Sequence, residues 1–203
     1  MDEHFILEIE NFLPESLCNE MIKRFENDPY KRQSKIGVGP DNSGGVIDLS
    51  RRNSKEIEVS GDPKWRDIDK ILNEYVGKAV LLYSEEIKKR IKRVGEDPAF
   101  LLPYILGDKM EDNGYFLQRV EKDSWFRWHH DDTYDERIVN FIFYLNTIEE
   151  PDGGRTEFIH GRKITPKVGK LLIFPTTWTN IHSGSWTKKP KYMCVTSIFN
   201  RID

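Results

Sequence analysis

The stretch "WFRWHHDDT", residues 125–133, sets two histidines directly before two aspartates. Imidazole nitrogen and carboxylate oxygen together form a ligand set for a divalent transition metal. Two histidines and one carboxylate on one face of ferrous iron leave positions open for oxygen and a bidentate substrate. Residues two apart in an extended segment point to the same side, so His129 with Asp131, or His130 with Asp132, would deliver two ligands at once. Strict alternation groups Trp125 and Arg127 with His129, and Phe126 and Trp128 with His130. It does not choose between the pairs, because a bend near the site would break it. A solvated surface turn is the plainer reading of such a stretch, and only a third ligand lifts the metal reading above it.

That ligand must return from far along the chain. His160 and His182 lie downstream, and His4 lies far upstream. His160 precedes "GRK" in what reads as a hairpin turn. His182 follows "GKLLIFPTTWTNI", an apolar strand ending in proline and a short polar loop, which can carry a residue back to the mouth of a barrel. The gap from Asp131 leaves room for several intervening strands, and His182 is the favoured third ligand.

The elements that position these residues read as β. After Gly114 the runs "YFLQRVE", "RIVNFIFYLN", "TEFIH", "KLLIFP" and "KYMCVTSIFN" are rich in β-branched and aromatic residues, with Gly, Pro, Asp and Asn between them. That is the texture of an all-β sandwich or jelly roll, and "PDGG" at 151–154 is a strong turn signal. The first half reads as helical. "PESLCNEMIKRFEN" spaces Leu17, Cys18, Met21, Ile22 and Phe25 as one helix face. From Pro63 to about Val94, Trp65, Ile68, Ile71, Leu72, Tyr75, Val76, Ala79 and Leu82 trace another, until "GEDP" stops it. Between these helices, Lys31 to Ser54 is rich in Gly, Ser and Asn and reads as a long loop able to act as a lid, with Arg51 or Arg52 able to meet an acidic group on a substrate. "KEIEVS" then reads as a short strand. The expectation is a single domain over 1–203, with 1–112 as mainly helical support plus a flexible lid loop and 113–203 as the β core.

Composition narrows the partners. A chain of 203 residues suits one good core. The net charge is -3 with acids and bases mixed, so there is no global basic footprint for nucleic acid. The basic cluster from Lys88 to Arg93 reads as a solvated helix face. The acidic start "MDEHFILEIE" does not read as a secretory signal, and no apolar run approaches the length of a bilayer span. Cys18 and Cys194 sit in apolar-periodic segments and read as buried, reduced thiols of a cytoplasmic protein. Nothing in the sequence signals an oligomeric state.

From Gly114 to Phe199 the chain resembles the iron- and 2-oxoglutarate-dependent dioxygenases of the prolyl 4-hydroxylase-like branch. "F-x-x-H-x-D" is matched by Phe126, His129 and Asp131, which favours the first of the two pairs. "R-x-x-T-x-x-x-YLN" is matched by Arg137 and Tyr144 to Asn146, with Asn140 in place of the usual Thr. "GG-x-T-x-F" is matched by Gly153, Gly154, Thr156 and Phe158, and "G-x-x-x-x-F-P" with its distal His by Gly169, Phe174, Pro175 and His182. The resemblance implies an α+β fold with a double-stranded β-helix (jelly roll) core and N-terminal buttressing helices. It implies Fe(2+) held by His129, Asp131 and His182, with 2-oxoglutarate as co-substrate and ascorbate as an admissible further cofactor. It implies hydroxylation of a C–H bond of a protein, peptide (prolyl-type) or small amino-acid-like substrate, with succinate and CO2 as co-products. The far carboxylate of 2-oxoglutarate needs a cation on the strand after the distal His. Lys191 fits that role, with Lys188 and Lys189 as competitors before Pro190. Tyr115 is a candidate hydrogen-bond donor to the same carboxylate, although Gln118 stands where the family's "Y-x-x-G" has Gly.

Three other readings stay in view. A cupin-like metal protein would share the triad without needing Lys191, and a silent jelly-roll module would keep the histidines as core residues. A nucleic-acid demethylase on the same scaffold would offer arginines on the last strand, where this chain has Lys191 and a terminal Arg201. Fold alone does not choose among them.

Overall fold

The computed structural model describes residues 1–37, 45–107, 109–131 and 137–200. Val38 to Gly44 of the expected lid, Asp132 of the second His-x-Asp pair, and Arg201 lie outside the described residues. The elements run β1 (Leu7–Ile9), α1 (Glu15–Asn27), β2 (Arg32–Gln33), β3 (Ser54–Glu58), α2 (Arg66–Arg93), α3 (Pro98–Leu106), β4 (Met110–Asp112), β5 (Phe116–Val120), β6 (Ser124–His129), β7 (Arg137–Tyr144), β8 (Thr156–Phe158), β9 (Lys163–Ile164), β10 (Leu171–Pro175), β11 (His182–Thr187) and β12 (Lys191–Asn200). The five β runs anticipated after Gly114 form β5, β7, β8, β10 and β12.

Two antiparallel sheets face each other. The larger runs β1-β10-β7-β12-β5-β3-β2, with β4 also on β12, and the smaller runs β6-β11-β8-β9. Strands from before residue 113 thus pair with strands after it: β1 lies on β10, β3 on β5 and β4 on β12.

The pleat of the large sheet sorts its side chains into two cores, since successive residues of a strand face opposite ways. On β7, Val139, Phe141 and Phe143 join Phe25, Leu72, Val76 and Tyr83 of the helices, while Ile142 and Tyr144 join Val120, Phe158, Phe174 and Met193 between the sheets. A strand buried on both faces needs an unbroken apolar run, which is why "NFIFYL" shows no alternation.

Helix α1 buries Cys18, Met21 and Phe25. Helix α2 buries Ile68, Leu72, Val76, Ala79, Tyr83, Ile87 and Ile91. Its inner face therefore continues through Tyr83, not Leu82, which is 46% exposed. A four-residue step from Ala79 keeps side chains on one face, and the Tyr83 hydroxyl donates to the Phe5 carbonyl (2.8 Å). "GEDP" ends α2 and also starts α3: Asp97 accepts from the Ala99 amide, and Pro98 opens the first turn.

The described flanks of the Lys31–Ser54 segment are a hairpin. Arg32 pairs with Glu56 and Gln33 with Lys55, and an isolated bridge joins Ile36 to Val46. A second bridge joins Arg52 to Phe126 on β6. This ties the segment to the strand that carries His129.

The "PDGG" turn is held by close approach. Gly153 (φ 76) and Gly154 (φ 70) both take left-handed backbone, and a Cβ on Gly153 would run into the Trp186 carbonyl. Gly95, past the end of α2, is also left-handed but faces open space. Gly153→Ala should cost about 2–4 kcal/mol of stability, from backbone strain plus the clash, whereas Gly95→Ala should cost about 1–2 kcal/mol from strain alone. Urea denaturation of the two variants reads the difference, and equal costs would show that the Trp186 contact constrains nothing.

Candidate metal centre

Strands β6 and β11 bring the two distant histidines together. His182 is the register partner of His129, and Gly184 is the partner of Phe126. Two steps on β11 therefore oppose three on β6, which is a β-bulge. The bulge turns Phe126 to the same side as His129, with the two rings stacked 3.7 Å apart. The strict alternation that grouped Phe126 with His130 fails here for that reason.

Asp131 completes the cluster. Its Oδ1 lies 3.5 Å from His129 Nε2, and its Oδ2 lies 3.4 Å from His182 Nε2. Ligand atoms of the three residues all lie within 4.8 Å of one another. Each imidazole is anchored at its other nitrogen: His129 Nδ1 bonds the Arg127 carbonyl (2.7 Å) and His182 Nδ1 the Asn180 carbonyl (3.0 Å). A carbonyl can only accept, so Nδ1 carries a proton in each ring, and Nε2 is the nitrogen turned towards the cluster, the orientation that metal binding needs. Burial pushes His182 down to about 4, against the pull of the Asp131 carboxylate, so it is neutral at pH 7. Burial alone would raise Asp131, but the imidazoles of His182 and His129 and the Arg137 guanidinium hold it well below the usual carboxylate range. The donor set and its protonation both fit a divalent ion.

The remaining histidines stand apart from the cluster. His160 stacks on His4 (3.8 Å between centroids) and on Phe158 (5.4 Å). His130 is exposed.

Asn140 braces the carboxylate. Its side-chain amide donates to Asp131 Oδ2 (2.6 Å) and its carbonyl accepts from the Ser197 hydroxyl (3.0 Å). The departure from Thr at this position thus puts a longer donor beside the aspartate of the triad.

The triad opens onto a cavity of about 850 Å³ lined also by Asn140, Thr156, Gly184 and Lys191. Lys191 is 2% exposed, and its Nζ donates to the Gly154 carbonyl (3.0 Å). Burial pushes its pKa down to about 8. No carboxylate partner stands beside it among the described residues. The motif residues explain its placement. Asn146 grips the chain on both sides of it, donating to the Pro190 carbonyl (2.9 Å) and accepting from the Tyr192 amide (2.8 Å). The Gly153–Gly154 turn supplies the carbonyl that receives Nζ. Tyr144 and Thr156 share a hydroxyl hydrogen bond (2.7 Å) near its tip. The competing lysines point elsewhere: Lys188 reaches the Pro151 carbonyl, and Lys189 pairs with Asp152 (2.6 Å).

Tyr115 is not brought to the site. Pleat parity places it with Leu117 on the helix side of the large sheet, while Phe116, Gln118 and Val120 line the cavity. Its hydroxyl donates to Asp112 (2.8 Å) and accepts from Asn73 (3.4 Å). The cavity hydroxyl that sequence reasoning missed is Thr156, which lies in a quoted motif but had no role assigned to it.

Arg51 and Arg52 diverge. Arg51 is exposed and pairs with Asp48 (3.6 Å). The Arg52 guanidinium lies over the Phe126 ring (4.8 Å) inside the cavity wall.

Comparison with known proteins agrees with this geometry. Residues 115–199 match the sequence model of the 2OG-Fe(II) oxygenase superfamily. Among solved structures, the chain is similar to a prolyl hydroxylase from Trichoplax adhaerens in complex with a hypoxia inducible factor oxygen degradation domain peptide fragment. That match has 18% identity, 97% of this chain, 84% of that chain and a TM-score of 0.74. It is also similar to a Pseudomonas putida prolyl-4-hydroxylase (17% identity, 98% and 94% covered, TM-score 0.65). A third is the viral collagen prolyl hydroxylase of Paramecium Bursaria Chlorella virus-1 in its 2OG complex (17% identity, 97% of both chains, TM-score 0.59). These likenesses show the fold, a jelly-roll core with few helices. No curated protein matches the chain.

If the triad holds metal, manganese(II) should bind at roughly one ion per chain. His129→Ala and His182→Ala should abolish binding, and His160→Ala should retain it. Asn140→Ala should weaken it about 10- to 100-fold by freeing the carboxylate. Calorimetric titration of each variant measures this, and a His160 requirement would refute the assignment.

Proposed function

We propose that the chain is an oxygenase of the 2OG-Fe(II) type, working with ferrous iron and 2-oxoglutarate, and that it hydroxylates a C–H bond of a peptide substrate of prolyl type or of a small amino-acid-like one. The observation that carries this reading is that the triad and a buried, carboxylate-free lysine face one cavity. In this proposal His129, Asp131 and His182 hold the iron on one face. Lys191 receives the far carboxylate of 2-oxoglutarate, with the Thr156 hydroxyl lining the same floor. Asn140 holds the Asp131 carboxylate in one orientation. The bound iron and co-substrate would supply oxygen activation, one oxygen atom entering succinate as CO2 leaves and the other entering the substrate as hydroxyl. A peptide is supported by the Trichoplax adhaerens enzyme, whose structure holds one.

No helix among the described residues is long and apolar enough to cross a membrane. Both cysteines are free and buried, which supports the proposed cytoplasmic setting.

Turnover is tested by incubating the protein with ferrous iron, oxygen and labelled 2-oxoglutarate and following succinate. Absence of succinate in metal-loaded protein, with and without peptides, would sink the proposal. Lys191 adds a sharper check. Its folded pKa lies below the unfolded value of 10.5, so its burial opposes folding by roughly 3 kcal/mol below pH 8, and the penalty fades as pH rises from 8 to 10.5. Lys191→Met should therefore be more stable by about 1–3 kcal/mol at pH 7, with the gain shrinking towards pH 10.5. The same variant should lose about 2–5 kcal/mol of 2-oxoglutarate binding. Denaturation at several pH values and co-substrate titration measure the two effects. A variant that is destabilised, or that binds co-substrate normally, would remove Lys191 from this role.

A further inference from the structure

The cavity has a cationic wall that the triad and Lys191 do not use. Lys35, Arg51, Arg52 and Arg127 all line it, and Glu56 is the one carboxylate other than Asp131 among its described lining residues. The chain as a whole carries a net charge of -3, so this positive charge is concentrated at the site.

Arg52 is the most buried of the four. Its side chain is 11% exposed. Its Nε donates to the Ser54 hydroxyl (2.7 Å) and Nη1 to the Lys35 carbonyl (3.3 Å), while Nη2 stands 3.7 Å from Glu56, too far for a good hydrogen bond. Glu56 is shared with Arg32 at 3.3 Å. Among the described residues most of the guanidinium donors thus lack a close acceptor, and burial presses the Arg52 pKa down against the pull of Glu56 and Asp131. Its guanidinium lies over the Phe126 ring (4.8 Å), and the same ring stacks with His129 (3.7 Å). Arg52 therefore shares the cavity wall with a ring that contacts a candidate metal ligand.

We propose that Arg52 receives a carboxylate of the substrate, and that Arg127, Arg51 and Lys35 at the cavity mouth favour further acidic groups flanking it. A guanidinium fork matches a carboxylate bidentately. The inference rests on the oxygenase reading above. A phosphate backbone fits less well, because Glu56 stands among the cations of the wall and Asp48 already pairs with Arg51. The carboxylate has two chemical sources, an acidic side chain of a peptide or the α-carboxylate of a free amino acid.

The test uses manganese-loaded protein saturated with 2-oxoglutarate under anaerobic conditions. Paramagnetic broadening of ligand proton signals reports approach to the metal. The ligands are capped proline-containing peptides bearing Asp or Glu, their Asn or Gln counterparts, free proline, aspartate and glutamate, and a short oligonucleotide. Wild-type protein should bind acidic members roughly 10- to 100-fold more tightly than their amides. The peptide and free-amino-acid arms identify the source. In Arg52→Gln the ratio should fall towards one, and Arg52→Lys, which keeps charge but loses the fork, should retain part of it. No acid preference in wild-type protein overturns the proposal, as does a preference that survives Arg52→Gln or that belongs to the oligonucleotide alone. Loss of 2-oxoglutarate affinity in Arg52→Gln would assign Arg52 to the co-substrate and also overturn it. Failure of wild-type protein to bind manganese or 2-oxoglutarate is a different result, and it is the oxygenase reading that would then fall.

Discussion

The antiparallel pairing of His129 with His182 is the contact on which the site depends. The two residues lie on different strands of the small sheet, and only their register places both Nε2 atoms at one point. The bulge in β6 is part of the same constraint. It puts the Phe126 ring against His129, and Arg52 lies over the same ring, so this part of the cavity wall contacts a histidine of the triad. The large sheet answers from across the cavity, with Asn140 on β7 bracing Asp131 and Lys191 on β12 closing the floor. Side chains from two sheets meet here because the pleat of each strand commits alternate residues to the space between them.

The cost of this arrangement is electrostatic. A buried ammonium, a buried guanidinium and an ionised aspartate face one cavity, and each is disfavoured by loss of water. Asp131 recovers through the imidazoles and Arg137, whereas Lys191 has a single carbonyl. A penalty of roughly 3 kcal/mol is a large share of a typical domain's net stability, about 5–15 kcal/mol. The fold tolerates it because the apolar clusters on either side of the large sheet are continuous.

Much of this was legible in the residues. The β runs after Gly114 and the two long helices follow from period and turn chemistry, and both cysteines lie buried as free thiols. Three local readings differ from the structure. Motif spacing points Tyr115 at the site, but one residue of parity sends it to the helix side of β5. Leu82 was placed on the inner face of α2, where the four-residue step selects Tyr83. Helix α3 was hidden because the same four residues end one helix and begin the next.

The sequence by itself determined which chemical groups were available and in what local pattern: His-x-Asp, a distal histidine after an apolar strand, a lysine at a strand start. These depend on near neighbours in the chain, and period and turn preference report them directly. Only the tertiary structure decided which of the groups share a point in space. The bulge that turns Phe126 towards His129, the reach of Asn140 to Asp131 and the convergence of Asn146, Gly154 and Thr156 around Lys191 arise from pairing between strands far apart in the chain. That register is set by how two sheets pack on a common core, a property of the whole chain and not of any one segment.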